Sequence, residues 1–187
     1  AANWVGRQAT NTTFTAATIP AVERIIAQTG QVFIDPVTTN PATTAISDTI
    51  LGFTLTVTTG WRPKFFMDNQ NLYFAYPYFD LNSYNAELQI SFEHNATGVS
   101  EKTDWRSQTA KAIRLQFEGS AFTTGGTDYS NHTLIIDVTG KYISFDALTE
   151  QEGNNMYSAT FSSRYNETEA VSPLTIIVSN EVMDIST

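Results

Sequence analysis

The stretch Glu87-Leu88-Gln89-Ile90-Ser91-Phe92-Glu93 decides the fold class of this chain. Its apolar residues alternate strictly with polar ones, a period of two that is typical of a β-strand with one buried face. Similar alternation returns from Ala112 to Glu118, with Ile113, Leu115 and Phe117 inward. It returns again from Met156 to Tyr165, where Tyr157, Ala159, Phe161 and Tyr165 alternate with polar positions. A last strand is expected from Leu174 to Ser179. The second half of the chain is therefore predicted to consist mainly of strands.

One short helix is predicted between the first two of these strands. Ser100 has the side chain of a helix cap, and the helix would run to about Gln108. Glu101 and Asp104 would then lie near its start, where the helix macrodipole favours negative charge. Trp105 would anchor the helix to the core.

The remaining segments extend the same pattern. Strands are predicted from Gln31 to Ile34, from Ile46 to Thr59 with Gly60 at its end, and on either side of Thr139-Gly140 from Thr133 to Val138 and from Lys141 to Phe145. The longest has an apolar face formed by Leu51, Phe53, Leu55 and Val57. With a helical turn within Ile19 to Ala27, this is a mainly β fold, a β-sandwich or partly closed barrel with one short flanking helix. We expect residues 1–187 to form a single domain, which could be one part of a longer chain.

Composition excludes several classes of function. Ten basic residues against nineteen acidic ones give a formal charge of −9, which argues against binding to nucleic acid phosphates. The absence of cysteine excludes disulfides, thiolate zinc sites and cysteine nucleophiles. No apolar run approaches the ~18 residues that a membrane span needs, so we expect no membrane partner.

Reactive groups are sparse. The two histidines, His94 and His132, have no metal-ligand spacing, and no G-x-S-x-G motif supports a serine triad. Glu87 and Glu93 share a strand face but lie ~20 Å apart along it, too far for a glycosidase pair. Further carboxylates lie near predicted turns, at Asp80, Asp137, Asp146, Glu150 and Glu152. We expect no catalytic, metal-binding or cofactor-binding residues and no enzymatic activity.

Aromatic residues concentrate between Trp61 and Tyr84. The turn residues Asp68 to Asn71 predict a hairpin within this segment. Three interpretations stay open: a hairpin packed on its own core, a sugar-stacking platform, or an arm that packs against a neighbouring subunit. Between the two functional ones we favour the arm, because Tyr76-Pro77-Tyr78-Phe79 has more apolar surface than a lone hairpin can bury.

Several short segments, in their order, resemble the tail tube (major tail) proteins of long-tailed bacteriophages. They are Ile50 to Trp61, Leu88 to His94 with Trp105-Arg106 after it, Ile113 to Gly119, Leu134 to Tyr142, Glu150 to Asn154, Ser163 to Asn166 and Val178 to Glu181. The resemblance covers most of the chain from about Gly30 onward and includes no catalytic signature.

The resemblance implies a structural virion protein whose partner is itself. Members with one such domain form hexameric rings, longer members with two domains form trimers, and the rings stack into a hollow tube through which the genome passes. It further implies contact with other tail proteins, such as tape measure and terminator, and DNA that passes without specific binding. The implied location is the phage tail, assembled in the host cytoplasm.

Two alternatives follow from the same features. One is a secreted or surface β-sandwich that binds carbohydrate through Trp61, Tyr73, Tyr76 and Tyr78. The other is a related ring of the virion, such as a tail terminator or baseplate component.

Overall fold

The computed structural model describes residues 23–67, 76–123, 128–151 and 153–181. Within these ranges it contains nine strands, one α-helix and a single 3-10 turn at Ala27–Thr29. The strands and the helix are β1 (Gly30–Pro36), β2 (Ala45–Ile46), β3 (Ile50–Lys64), β4 (Tyr76–Glu93), α1 (Ala96–Arg106), β5 (Lys111–Ala121), β6 (Asn131–Phe145), β7 (Thr149–Gln151), β8 (Asn154–Ser163) and β9 (Leu174–Ser179). The predicted mainly β fold with one short helix is confirmed.

The strands form one antiparallel sheet in the order β2-β1-β5-β6-β8-β4-β3, with β9 beside β6 and β7 beside β8. Among the described residues the end strands β2 and β3 do not pair with each other, so the sheet is not closed into a barrel. Of the two predicted architectures, the structure therefore agrees with a β-sandwich-like fold rather than a closed barrel.

Strand β6 connects the two halves of this sheet. One of its edges pairs with β5, while the other pairs with β9 from Thr133 to Val138 and with β8 from Gly140 to Phe145. A Cβ atom on Gly140 would lie 2.0 Å from the carbonyl oxygen of Ser162. The prediction of two strands about Thr139-Gly140 is wrong, because this glycine permits close backbone approach within one continuous strand.

Contacts divide the chain into two compact units. The larger comprises Ala21–Thr56 and Ala86–Thr187, and the smaller comprises Ala1–Pro20 and Val57–Asn85. Strands β3 and β4 contribute residues to both. The single domain stays a prediction.

The hydrophobic core lies in the larger unit. Its inward residues on β4 face those on β8 in register, with Leu88 opposite Phe161 and Ile90 opposite Ala159. Each of these four side chains is at most 1% exposed, as the alternation predicts. The predicted strand from Met156 to Tyr165 is too long at its end, because β8 ends at Ser163 and Tyr165 beyond it is 61% exposed.

Helix α1 begins earlier than predicted. The side chain of Asn95 accepts a hydrogen bond from the backbone N–H of Gly98 at 2.9 Å and caps the helix, so Ser100 lies inside it. Glu101 therefore lies beyond the first turn. The prediction that it lies near the start of the helix, where it would interact favourably with the macrodipole, is wrong. Trp105 packs against the core, with its ring centroid 6.0 Å from that of Phe145.

The long strand predicted from Ile46 to Thr59 differs at both ends. Asp48 has a φ of 51°, and residues 47–49 separate β2 from β3. At the other end β3 continues through Gly60 to Lys64. Residues 19–22 of the predicted helical turn lie outside the described ranges, and residues 23–26 form no helix.

Candidate functional site

The strongest candidate for a functional surface is the β3–β4 hairpin of the smaller unit. Gly60 allows β3 to continue here, since its φ of +76° suits glycine and a Cβ atom would lie 2.5 Å from the Asp80 carbonyl oxygen. The predicted turn from Asp68 to Asn71 lies outside the described residues, as do Tyr73, Phe74 and the side chain of Tyr76. The hairpin is described up to Met67 and again from Tyr76.

The hairpin exposes large apolar side chains on both of its described strands. The exposed fraction is 40% or more for Trp61, Phe65, Phe66, Met67, Tyr78 and Phe79. The rings of Trp61 and Phe79 lie 5.1 Å apart between centroids, and Lys64 Nζ lies 4.6 Å from the centre of the Tyr78 ring. These contacts order the side chains without removing them from water, so the surface remains available to a partner.

Strand β3 exposes further residues of the apolar face that alternation predicted. Leu55 packs against the core, but Leu51 is 53% exposed and Phe53 and Val57 are each 38% exposed. The apolar face of β3 is therefore only partly used by the fold. Sequence alternation identified the face but not how much of it is covered.

The two histidines occupy separate, ordinary environments. His94 lies beside Tyr157, with ring centroids 5.2 Å apart. His132 packs edge-on against Phe122, and its Nε2 lies 3.9 Å from Glu181 Oε2. In the described ranges no three His, Asp or Glu side chains are close enough together to hold a metal ion.

The predicted carboxylate candidates have varied positions. Glu87 and Glu93 lie at opposite ends of the β4–β8 pairing. Asp80 and Asp137 lie within strands rather than near turns. Glu152 is outside the described residues.

Asp137 binds Arg114 through two hydrogen bonds of 2.7 Å, and this pair raises the pKa of the guanidinium further. Its role is thus structural.

A buried polar cluster beneath helix α1 was not anticipated. Lys111 at the start of β5 lies 2.6 Å from Asp104 Oδ2 and 3.4 Å from Glu101 Oε1. The Tyr142 hydroxyl donates a hydrogen bond of 3.0 Å to Glu101 Oε2. Because the pattern of α1 makes Glu101 look like a surface residue, no single-sequence signal could have placed it in the interior.

Burial governs the protonation of this cluster. It raises the pKa of Glu101, and the positive charge of Lys111 only partly offsets the rise. Burial alone would lower the pKa of Lys111, but the hydrogen bond to Asp104 and the charge of Glu101 together raise it. Burial also raises the pKa of Tyr142 strongly, and the charge of Glu101 adds to the rise. The cluster attaches α1 to strands β5 and β6 of the sheet.

A second surface feature lies in the larger unit. An open cavity of about 610 Å³ is bordered by residues before β1 and by parts of β5, β6 and β9. Its apolar lining includes Ile25, Ile26, Leu134 and Val178, and Glu23, Glu118 and His132 also border it. Sequence alternation gave no sign of it.

Comparison of the sequence with models of known protein families and with curated proteins yields no match. No helix in the described portion of the chain has the length and apolarity needed to cross a membrane.

Proposed function

We propose that this chain is a structural, non-enzymatic subunit of a bacteriophage tail tube. It would assemble with copies of itself into rings that stack around a channel for the genome. The observation that carries the proposal is the β3–β4 hairpin, in which six large apolar side chains among the described residues are 40–107% exposed. Soluble monomers rarely expose a contiguous apolar patch of this kind, whereas a surface that becomes buried on assembly needs one.

The sheet provides a second line of support. In the described part of the chain β3 pairs only with β4, and β9 pairs only with β6, so each has an open edge. Open edges of this kind invite pairing with another chain unless they are protected. Symmetric assembly would cover both edges and would explain why both strands carry exposed apolar side chains.

Charge and element order also fit the proposal. A net charge of −9 suits a lumen that DNA must pass without being bound. The resemblance to tail tube proteins rests on element order and on several short sequence segments. Part of that order is a strand, a short helix and a second strand, and β4, α1 and β5 follow it. Tape measure and terminator proteins would be further partners.

Negative-stain electron microscopy of the purified protein at high concentration tests the proposal. We expect rings or short tubes with a central channel. A protein that stays monomeric at every concentration and never enters phage particles would contradict it. Rings found only at one end of a tail would instead favour a terminator or baseplate role.

Carbohydrate binding is a second candidate, because Trp61 is 60% exposed and lies beside Phe79. Such a pair could stack against a sugar ring. A glycan array distinguishes the two functions: binding to a defined glycan that disappears in Trp61→Ala would favour carbohydrate recognition over assembly.

A further inference from the structure

Helix α1 and strand β5 bring together one lysine, one aspartate and one buried glutamate. Lys111 Nζ lies 2.6 Å from Asp104 Oδ2 and 3.4 Å from Glu101 Oε1. The side chains of Lys111, Asp104 and Glu101 are 15%, 26% and 6% exposed. One ammonium group therefore meets two carboxyl groups in a site that is largely shielded from water. The charges of the three side chains balance only when one of the carboxyl groups holds a proton.

The backbone holds both residues of the closest contact in place. Lys111 is the first residue of β5 and pairs with Pro36 on β1 and with Gly140 on β6. Asp104 lies in the last turn of α1, and its carbonyl oxygen accepts a hydrogen bond of 3.0 Å from the Thr109 N–H. The contact between Lys111 and Asp104 is thus set by the fold, unlike an ion pair between two freely rotating surface side chains.

Glu101 has the position and the protonation of an acid–base group for this pair. The Tyr142 hydroxyl donates a hydrogen bond of 3.0 Å to Oε2 of Glu101, and Oε1 is the oxygen that lies near Lys111. Tyr142 belongs to the hydrophobic core, which keeps water from this side of the site. Because burial raises the pKa of Glu101, its carboxyl group holds a proton at pH values where an exposed glutamate has lost it.

We propose that Lys111 and Asp104 condense within the folded chain to an isopeptide bond, with Glu101 as the proton carrier. Cγ of Asp104 is bonded to Oδ2, so the nitrogen of Lys111 lies within one further bond length of the carbon that it attacks. Groups held in this way react as if each were present at about 10⁵ M or more. Such a concentration favours amide formation without an activated carboxyl group.

The reaction balances with the side chains that are present. The Lys111 ammonium passes one proton to Asp104 along the 2.6 Å contact; the charge of the pair stays at zero, although the raised pKa of Lys111 opposes loss of the proton to bulk water. The amine lone pair then attacks Cγ and forms the C–N bond. Glu101 protonates the hydroxyl group that leaves as the C–O bond breaks, and it recovers a proton from the nitrogen. Of the three ammonium hydrogens, one stays on the amide and two leave with one carboxylate oxygen as water.

The bond would close a covalent ring from Asp104 to Lys111 and fasten the last turn of α1 to β5. An amide is not opened by the thiols that keep a cytosol reducing, whereas a disulfide is, and this chain has no cysteine. Each chain reacts once and only with itself, so the proposed role as a non-enzymatic subunit is unaffected. The inference does not depend on that role.

Mass spectrometry of the denatured wild-type protein tests the bond. We expect an intact mass that is lower than the mass of the sequence by one water molecule. Trypsin should leave Lys111 uncut and yield a branched product that joins Thr103–Arg106 to Ser107–Arg114. An intact mass equal to that of the sequence, with cleavage after Lys111, would overturn the proposal.

Two variants test the chemistry. Lys111→Arg keeps a cation beside Asp104 but has no primary amine, so its mass should equal that of its sequence. Loss of water in this variant would show a different reaction, such as ring closure of Asp104 on its own backbone, and would overturn the bond.

Glu101→Gln keeps both reacting groups but lacks the carboxyl proton. The linked fraction, followed with time after cell-free synthesis, should rise at least about a hundredfold more slowly than in the wild type. Circular dichroism checks that the variant has folded. A folded Glu101→Gln chain that links at the wild-type rate would overturn the role of Glu101.

Discussion

The hydroxyl of Tyr142 on β6 donates a hydrogen bond of 3.0 Å to Glu101 Oε2 on helix α1. Tyr142 is 1% and Glu101 5% exposed, so this bond joins the helix to the sheet in the interior. A carboxylate is stable in the interior only when it is hydrogen-bonded or paired with a positive charge.

Tyr142→Phe should therefore destabilise the protein although it removes a single oxygen atom. Loss of a donor to a buried carboxylate is expected to lower the free energy of unfolding by about 1–3 kcal/mol. Urea denaturation measures the change. Tyr165→Phe, at an exposed side chain, is the matched control and should match the wild type; an equal loss in both variants would contradict the role of the buried bond.

Glu101→Gln should change how stability depends on pH. Because the pKa of Glu101 is raised in the folded protein, the folded state retains its proton where the unfolded state has lost it. The contribution of this proton to the free energy of unfolding is fully present below pH 4.5, the ordinary pKa of a glutamate. It is lost as pH rises through the pKa that Glu101 has in the folded protein. The wild type should lose stability relative to Glu101→Gln as pH rises through that window. Parallel pH profiles from urea titrations would contradict this.

Asp137→Asn should leave the largely buried Arg114 guanidinium without its carboxylate. The two side chains are 9% and 13% exposed, and breaking such a pair costs about 3 kcal/mol. Thermal unfolding measures the loss. The double variant Arg114→Met/Asp137→Leu should recover part of it, because it removes the unpaired guanidinium. Recovery stays incomplete, since Arg114 also interacts electrostatically with the buried Asp35. A double variant as unstable as the single one would count against this explanation.

Gly140→Ala should be strongly destabilising. The new methyl group would meet the Ser162 carbonyl oxygen at 2.0 Å, which forces β6 and β8 apart. We expect a loss of about 3 kcal/mol or more. Gly52→Ala provides the control, since no atom lies within 4 Å of a Cβ atom there; it should remain within about 0.5 kcal/mol of the wild type.

Replacing Lys64 to Phe79 by a two-residue Asn-Gly turn should impair assembly more than folding. The core residues all belong to the larger unit, so the shortened chain should still unfold cooperatively. Sedimentation velocity measures assembly, and circular dichroism measures the fold. If the shortened chain did not fold at all, the hairpin would be part of the core rather than an arm.

Local pattern was sufficient to predict much of the fold but little of the surface. The inward residues of β4, β5 and most of β8 follow from alternation, because burial on one face requires a period of two. The cap at Asn95 was also recoverable, since asparagine is a preferred cap. The position of Glu101 was not, because its burial depends on Tyr142 and Lys111, which are distant in sequence. The same holds for the cavity bordered by β5, β6 and β9, which is formed by four separate segments.

The position of β6 between β5 on one side and β8 and β9 on the other has a consequence for folding. The β1–β2, β5–β6 and β7–β8 pairings join neighbouring segments and can form early, whereas Leu88 must find Phe161 and Ile34 must find Ile113. A sheet with so many pairings between distant residues has a high contact order and folds slowly, over milliseconds to seconds. On the ribosome, β1 and β4 emerge before their partners β5 and β8 exist. The nascent chain therefore holds strands with one unpaired edge until β8 is synthesised, and this interval is where aggregation competes most strongly with folding.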